Sequence, residues 1–218
     1  GDAYAGAVPS DLSSGAALAD LVAARVVGHD RLSVGIVGAP GAGKSTIAAE
    51  LVGILNAGGI PSAPLPMDGF HLPAAELVAL GRRDRMGAAD TFDVTGYLAA
   101  LTAVRADAGE VIAPGFDRDR EEPIPRAVRI PAEMRVVVSE GNWLLLPEHG
   151  WGPVRALLDL RVAVGIEDAV RIPRLIARHV AHGKTAAEAA AWVERSDEAN
   201  ARSILPTLTD VDAVVRVP

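Results

Sequence analysis

One stretch of the sequence, GIVGAPGAGKST at residues 35–46, restricts the fold more than any other. Residues 38–45 match the pattern G-x-x-x-x-G-K-[ST] at every fixed position. The apolar run Leu32–Val37 before it predicts a buried strand, and the periodic segment Ser45–Asn56 after it predicts a helix. Glycines let successive backbone N–H groups turn toward one anion, and the helix N-terminus adds positive charge there. The stretch therefore predicts a loop that binds a nucleotide triphosphate.

In such a loop, the lysine contacts the β- and γ-phosphates and the hydroxyl of the next residue ligates Mg²⁺. Here these residues are Lys44 and Ser45, and the predicted cofactors are ATP and Mg²⁺. The predicted nucleotide-binding residues are Gly38, Ala39, Pro40, Gly41, Ala42, Gly43, Lys44, Ser45 and Thr46.

Predicted strands alternate with predicted helices along the 218 residues. This order indicates an α/β fold of the P-loop NTPase type, with a mostly parallel sheet flanked by helices. We expect one domain over residues 1–218. A buried strand is predicted at Arg135–Ser139 and a helix at Asp93–Ala108, with Asp93 as its N-cap. Two long helices, Glu167–Gly183 and Thr185–Leu205, predict a helical lid at about 167–205.

Charge and composition exclude several classes of function. The net charge is −7, which disfavours a nucleic-acid partner because such proteins present a basic face. No apolar run approaches the roughly 18 residues of a membrane span. The sequence contains no cysteine, so disulfides and thiolate metal sites are absent, and we expect a cytoplasmic protein.

Two carboxylates follow predicted strands. Asp68 comes after the second strand and Glu140 after the strongest one. Ligands of an open parallel sheet bind at the carboxyl ends of its strands, so both side chains are expected to face the phosphate loop. Phosphoryl transfer to a hydroxyl needs a base and a metal ligand. Asp68 is the predicted base, and Glu140 is the predicted ligand of metal or substrate.

Five further segments, PMDGFHL, GAADTFDVTGYLAAL, VIAPGFDR, VVVSEGNWLLL and NARSILPT followed by DAVV, occur in a characteristic order. In this order the chain resembles the superfamily of phosphoribulokinase, uridine kinase and type I pantothenate kinase, over about Arg31–Val217. The closest resemblance is to bacterial proteins described as nucleoside/nucleotide kinases or fructokinase-like. The resemblance implies that Asp68 is the catalytic aspartate and that Glu140 lies near metal and substrate.

The resemblance also implies a set of substrate contacts. Phe116 matches the aromatic residue of an aromatic–Asp pair in uridine kinases, and Arg118 stands near the place of a pantothenate kinase histidine. The guanidinium favours an acidic substrate or a phosphorylated sugar, or it pairs with neighbouring carboxylates at the surface. Further predicted substrate contacts, each with an alternative structural or solvated role, are His71, Arg82 and Asn200.

Lid arginines are the last predicted catalytic group. Arg171, Arg174 and Arg178 share one helix face at i, i+3 and i+7. Because the superfamily carries arginines in a helical lid, Arg171 and Arg174 are the predicted contacts to the transferring phosphoryl group. His179 and His182 are expected at the surface, because their spacing does not suit a metal pair.

These observations predict an ATP-dependent kinase that phosphorylates a hydroxyl of a small metabolite such as a sugar, a sugar acid or a pantothenate-like molecule. One alternative is a nucleoside kinase acting on uridine or cytidine. An alternative of another class is a P-loop ATPase, or a nucleotide-dependent regulator without an acceptor. Dimers are common among similar enzymes, so a homodimer is compatible with this prediction.

Overall fold

A parallel sheet forms the centre of the computed structural model, which describes residues 10–106 and 109–217. Its strands within these ranges are β1 (Ser10–Leu12), β2 (Leu32–Val37), β3 (Ser62–Pro66), β6 (Val136–Gly141), β7 (Leu160–Gly165) and β8 (Ala213–Arg216). They lie in the order β1-β8-β7-β2-β6-β3, and every pairing is parallel. Outside the sheet, β4 (Val111–Asp117) and β5 (Glu122–Ile130) form an antiparallel hairpin. The predicted α/β fold with a mostly parallel sheet is confirmed.

Helices cover both faces of the sheet. Within the described ranges they are α1 (Gly15–Arg25), α2 (Lys44–Ala57), α3 (Ala74–Ala79), α4 (Val94–Arg105), α5 (Val154–Leu157), α6 (Asp168–Ala181), α7 (Ala186–Trp192) and α8 (Glu198–Ile204). Short 3₁₀ turns occur at Met67–Phe70, Arg83–Arg85 and Leu205–Thr209, and a π-helical turn occurs at Val193–Asp197. None of the described helices is long and apolar enough to cross a membrane.

Two apolar clusters hold the helices against the sheet. On one face, Leu18 of α1 and Leu51 of α2 pack against strand residues such as Val34. On the other, a larger cluster includes Leu101 of α4 and Trp151. Every residue of β2 and β6 is buried, as expected for central strands of a sheet covered on both faces.

The predicted element boundaries agree with the structure in the first half of the chain. The strand Leu32–Val37 is confirmed, and the helix predicted from Ser45 begins one residue earlier. The predicted cap Asp93 accepts a hydrogen bond from the Gly96 amide at 2.8 Å. The helix that follows ends at Arg105, and its predicted end, Ala108, lies outside the described residues.

The predicted helix over Thr185–Leu205 is present from Ala186 to Ile204, but a π-helical turn interrupts its α-helical hydrogen bonding. The segment consists of α7, the π-helical turn at Val193–Asp197, and α8. The extra residue of a π turn shifts the helical phase, and a sequence pattern of period 3.6 does not reveal it. This interruption changes which side chains of the segment point inward.

Candidate functional site

The topology brings three strand ends together at one edge of the sheet. β6 lies between β2 and β3, and its residue Glu140 is in register with Ile36 on one side and Pro66 on the other. The phosphate loop follows β2, and Asp68 follows β3. Because the strands are parallel, the loop and both predicted carboxylates lie at the same edge.

The glycines of the phosphate loop occupy positions that other residues would strain. Gly41 and Gly43 have φ angles of +79° and +94°, in the left-handed region. A Cβ on Gly41 would also lie 2.6 Å from a side-chain carbon of Leu175 on α6. The loop therefore adopts a backbone that only glycine accepts freely, in close contact with α6.

Lys44 begins helix α2 with its side chain buried against the loop. Its Nζ donates hydrogen bonds to the carbonyl oxygens of Gly38 at 2.9 Å and Ala39 at 3.0 Å. Burial lowers the pKa of Lys44 to about 8, although the carboxylates of Glu140 and Asp68 oppose the shift. The ammonium is thus held at the loop in a poorly solvated place, where it needs a counter-charge.

Asp68 sits in the 3₁₀ turn that directly follows β3. Its Oδ2 lies 3.2 Å from Nη2 of Arg118, which comes from the loop of the β4–β5 hairpin. The turn packs closely on the same hairpin, since a Cβ on Gly69 would lie 2.1 Å from the carbonyl oxygen of Pro114. Close packing on one side and an ion pair on the other fix the position of the Asp68 carboxylate.

His71 forms part of the wall beside Asp68. Its Nδ1 lies 2.8 Å from the carbonyl oxygen of Asp68, and its ring packs between Phe92 and Phe116 at centroid distances of 4.0 and 4.6 Å. Burial lowers the pKa of His71. The imidazole is therefore held neutral in an aromatic environment, and its second nitrogen makes no hydrogen bond to a described residue.

Glu140 is buried at the end of β6, with 9% of its surface exposed. Burial and the neighbouring Asp68 carboxylate raise its pKa, whereas Lys44 and a hydrogen bond from Ser45 oppose that shift. A carboxylate and a hydroxyl this close are oxygen ligands of the kind that Mg²⁺ uses together with substrate phosphates. These two residues fit the predicted metal site. No group of three or more metal-ligating side chains occurs in the described part of the chain.

A cavity of about 490 Å³ joins these groups to residues of α6, α7 and α8. Sequence-predicted residues that line it are Pro40, Gly41, Lys44, Ser45, Asp68, His71, Phe116, Arg118, Glu140 and Asn200. A second cavity of about 460 Å³ lies at the phosphate loop and is bounded by Gly43, Thr46, Arg174 and Arg178 among others. Arg178 lines both cavities.

Arg171, a predicted catalytic residue, lies outside both cavities. Its guanidinium is buried, with Nη2 2.6 Å from Glu198, Nε 2.8 Å from Asp168, and Nη1 donating to the Pro40 carbonyl oxygen at 3.2 Å. It connects α6, α8 and the phosphate loop. Helical phase grouped Arg171 with Arg178, but packing against α8 draws the first inward and leaves the second at the cavities.

Arg82, a predicted substrate contact, also lies outside the cavities, because its Nη1 donates to the carbonyl oxygen of Asp90 at 2.8 Å. Its neighbour Arg83 lines the larger cavity instead. Sequence reasoning missed the part of the cavity wall formed by His179 and Asp197. His179 was expected at the surface but is hydrogen-bonded within the lid. Its partner is Asp197, 18 residues along the chain, and a hydrogen bond over that separation produces no local sequence pattern.

Comparison with known proteins agrees with this geometry. The sequence matches the phosphoribulokinase / uridine kinase family over residues 33–218. A Schizosaccharomyces pombe protein whose name proposes a uridine kinase is 31% identical over 176 residues, which are 78% of this chain and 74% of that protein. The Escherichia coli protein YggC, named as uncharacterized, is 31% identical over 90% of this chain and 83% of its own length.

A solved structure from Silicibacter sp. TM1040, whose name proposes a fructose transport system kinase, has a TM-score of 0.84 and 36% identity. The match covers 94% of this chain and 99% of that one. The phosphate loop and the two carboxylates lie at one edge of the sheet, and the sequence and structure matches agree with that arrangement. The chain therefore belongs to the phosphoribulokinase / uridine kinase family of P-loop kinases.

Proposed function

We propose that this protein transfers the γ-phosphoryl group of ATP to a hydroxyl group of a small metabolite. The observation that carries the proposal is that Asp68 and Lys44 line the same cavity. The carboxylate of Asp68 can accept the proton that leaves an alcohol, and the ammonium of Lys44 can bind the phosphates of the nucleotide. The similarity to a protein named for a role in fructose transport supports a sugar-like acceptor.

In the proposed reaction, the acceptor oxygen forms a bond to the γ-phosphorus as the bond to the β–γ bridging oxygen breaks. Asp68 receives the hydroxyl proton, and Arg118 holds the carboxylate in position through their ion pair. Lys44, Arg174 and Arg178 stabilise charge on the phosphates, so that Arg174 keeps its predicted role and Arg178 takes the one predicted for Arg171. Mg²⁺, when bound by Ser45 and Glu140 with the phosphates, would neutralise further charge. Helices α6–α8 act as the lid.

The test is the substitution Asp68→Asn, assayed by ADP release over a panel of sugars, sugar acids, pantothenate and nucleosides, with Lys44→Ala as the blank. Loss of a general base should lower kcat by about 10²–10⁴-fold, while nucleotide affinity stays within about threefold. Asp119→Asn, which changes an exposed carboxylate on the hairpin that carries Arg118, is the matched control and should keep full activity.

Two results would contradict the proposal. An unchanged kcat in Asp68→Asn would remove the carboxylate from proton transfer. ADP release that is independent of every added metabolite would indicate an ATPase. Preference for uridine or cytidine over all sugars would assign the acceptor to the nucleosides.

A further inference from the structure

A hydrogen-bonded pair on the lid lines the larger cavity and has no part in the steps above. His179 Nε2 lies 2.8 Å from Oδ2 of Asp197, and their side chains are only 17% and 11% exposed. Both residues line the cavity that contains Asp68. Enclosing a carboxylate costs free energy unless it is hydrogen-bonded, so this placement must be stabilised by its surroundings.

The π-helical turn at Val193–Asp197 is what positions the carboxylate. Its first and last residues are buried, whereas Glu194 and Arg195 between them are exposed. The extra residue of a π turn rotates the following helix relative to the preceding one, and such turns occur frequently at functional sites. Asp197 therefore faces the protein interior at the point where α8 begins.

Asp197 has acceptor capacity that the described residues do not use. An ionised carboxylate accepts about four hydrogen bonds, and the described part of the chain supplies the one from His179. All buried side-chain polar atoms in that part have a partner, so Oδ1, which makes no hydrogen bond to a described residue, keeps some exposure on a residue that lines the cavity. Asn200, three residues later, lines the same cavity and makes no side-chain hydrogen bond to a described residue.

Two arginines that line the same cavity as Asp197 are paired with carboxylates. Arg83 Nη2 lies 2.5 Å from Glu121, and Arg118 lies 3.2 Å from Asp68. Each of these two guanidinium groups already has a carboxylate partner. The pairing of Arg118 with Asp68 leaves less of its charge for an acidic acceptor.

The remaining cations of the cavity have other positions. Lys44 and Arg178 also line the cavity at the phosphate loop, where nucleotide phosphates bind. The ammonium of Lys184 lies 4.9 Å from the centroid of the Trp192 ring, within the range of a cation–π interaction. An anionic group of the acceptor, placed beside Asp197, would lie next to a carboxylate of the same charge. The cations of the cavity have the other partners described above.

We propose that Asp197, oriented by His179 and flanked by Asn200, binds hydroxyl groups of the acceptor and selects an uncharged polyhydroxylated molecule such as a sugar or polyol. Hydroxyl groups donate hydrogen bonds to the carboxylate, whereas a carboxylate or phosphate on the acceptor is repelled. This assignment rests on the proposed phosphotransfer and names the substrate class of that site.

The experiment compares wild type with Asp197→Asn, using D-fructose and D-ribose as neutral probes and D-glycerate as an anionic probe. Loss of hydrogen bonds to a charged acceptor should raise KM for the preferred sugar about 10- to 100-fold, with kcat changed less than threefold. Glu194→Gln, on the same turn but exposed, is the matched control and should leave KM unchanged. If Asp197→Asn does not fold, His179→Gln should raise the same KM.

Binding of the sugars to Asp68→Asn protein with a non-hydrolysable ATP analogue, measured by calorimetry, separates this proposal from the previous one. If Asp197→Asn weakens sugar binding but the wild type phosphorylates no sugar, the subsite is supported and phosphotransfer to sugars is contradicted. Sugar turnover with a KM indifferent to Asp197→Asn overturns the subsite alone. A preference for D-glycerate over both sugars, or no sugar binding at all, also overturns it.

Discussion

Nucleotide binding should weaken as the pH rises above about 8, because Lys44 loses its proton in that range. Burial lowers the pKa of this lysine from 10.5 to about 8, and the ammonium form is the one that attracts phosphates. A base with a lowered pKa is protonated below that value and neutral above it. Affinity should therefore be highest below pH 8.

The expected size of the effect follows from the titration. Between pH 7.5 and 9.5 the protonated fraction of a group with a pKa of about 8 falls from roughly three quarters to roughly 3%, so Kd should rise roughly 25-fold if only the ammonium binds. A fully solvated lysine with its ordinary pKa would change Kd only about 1.1-fold over the same range.

The assay is calorimetric titration with ATP in the absence of metal, at several pH values and in two buffers of different ionisation enthalpy. At pH 9 most of Lys44 is neutral in the free protein. Nucleotide binding should therefore be accompanied by the uptake of close to one proton, because the bound phosphates favour the charged lysine. Lys184→Met, which removes the other lysine of the chain, should keep the pH profile, and Lys44→Met should abolish it. A flat Kd between pH 7.5 and 9.5 without proton uptake would refute the reasoning.

Two further substitutions test the packing around the site. Arg171→Met leaves the partly buried Glu198 without its guanidinium, so we expect a loss of about 3 kcal/mol in the free energy of unfolding and a Tm lower by about 6–12 °C, measured by circular dichroism; an unchanged Tm would contradict a structural role. Gly69→Ala places a Cβ 2.1 Å from the Pro114 carbonyl oxygen, which forces the turn of Asp68 to move. A misplacement on the order of 1 Å should reduce kcat about 100-fold in the ADP-release assay, and full activity would show that the turn tolerates the shift.

The sequence alone determined the elements that depend on local patterns. An apolar run, a glycine loop and a periodic segment predicted β2, the phosphate loop and α2, because each has a local physical cause. The predicted positions of Asp68 and Glu140 after strands were enough to expect them at one edge. In the structure β6 continues through Glu140 to Gly141, and the parallel pairing of β3, β6 and β2 brings both carboxylates to that edge.

Only the tertiary structure decided which lid side chains face the cavity. Helical spacing gave Arg171 and Arg178 the same face, but contact with Glu198 and the Pro40 carbonyl oxygen buries the first, while the second borders both cavities. The π-helical turn that places Asp197 was likewise invisible in the sequence. The reason is that the helical period fixes only the direction in which a side chain leaves the helix axis. Whether that side chain is buried depends on residues from distant parts of the chain.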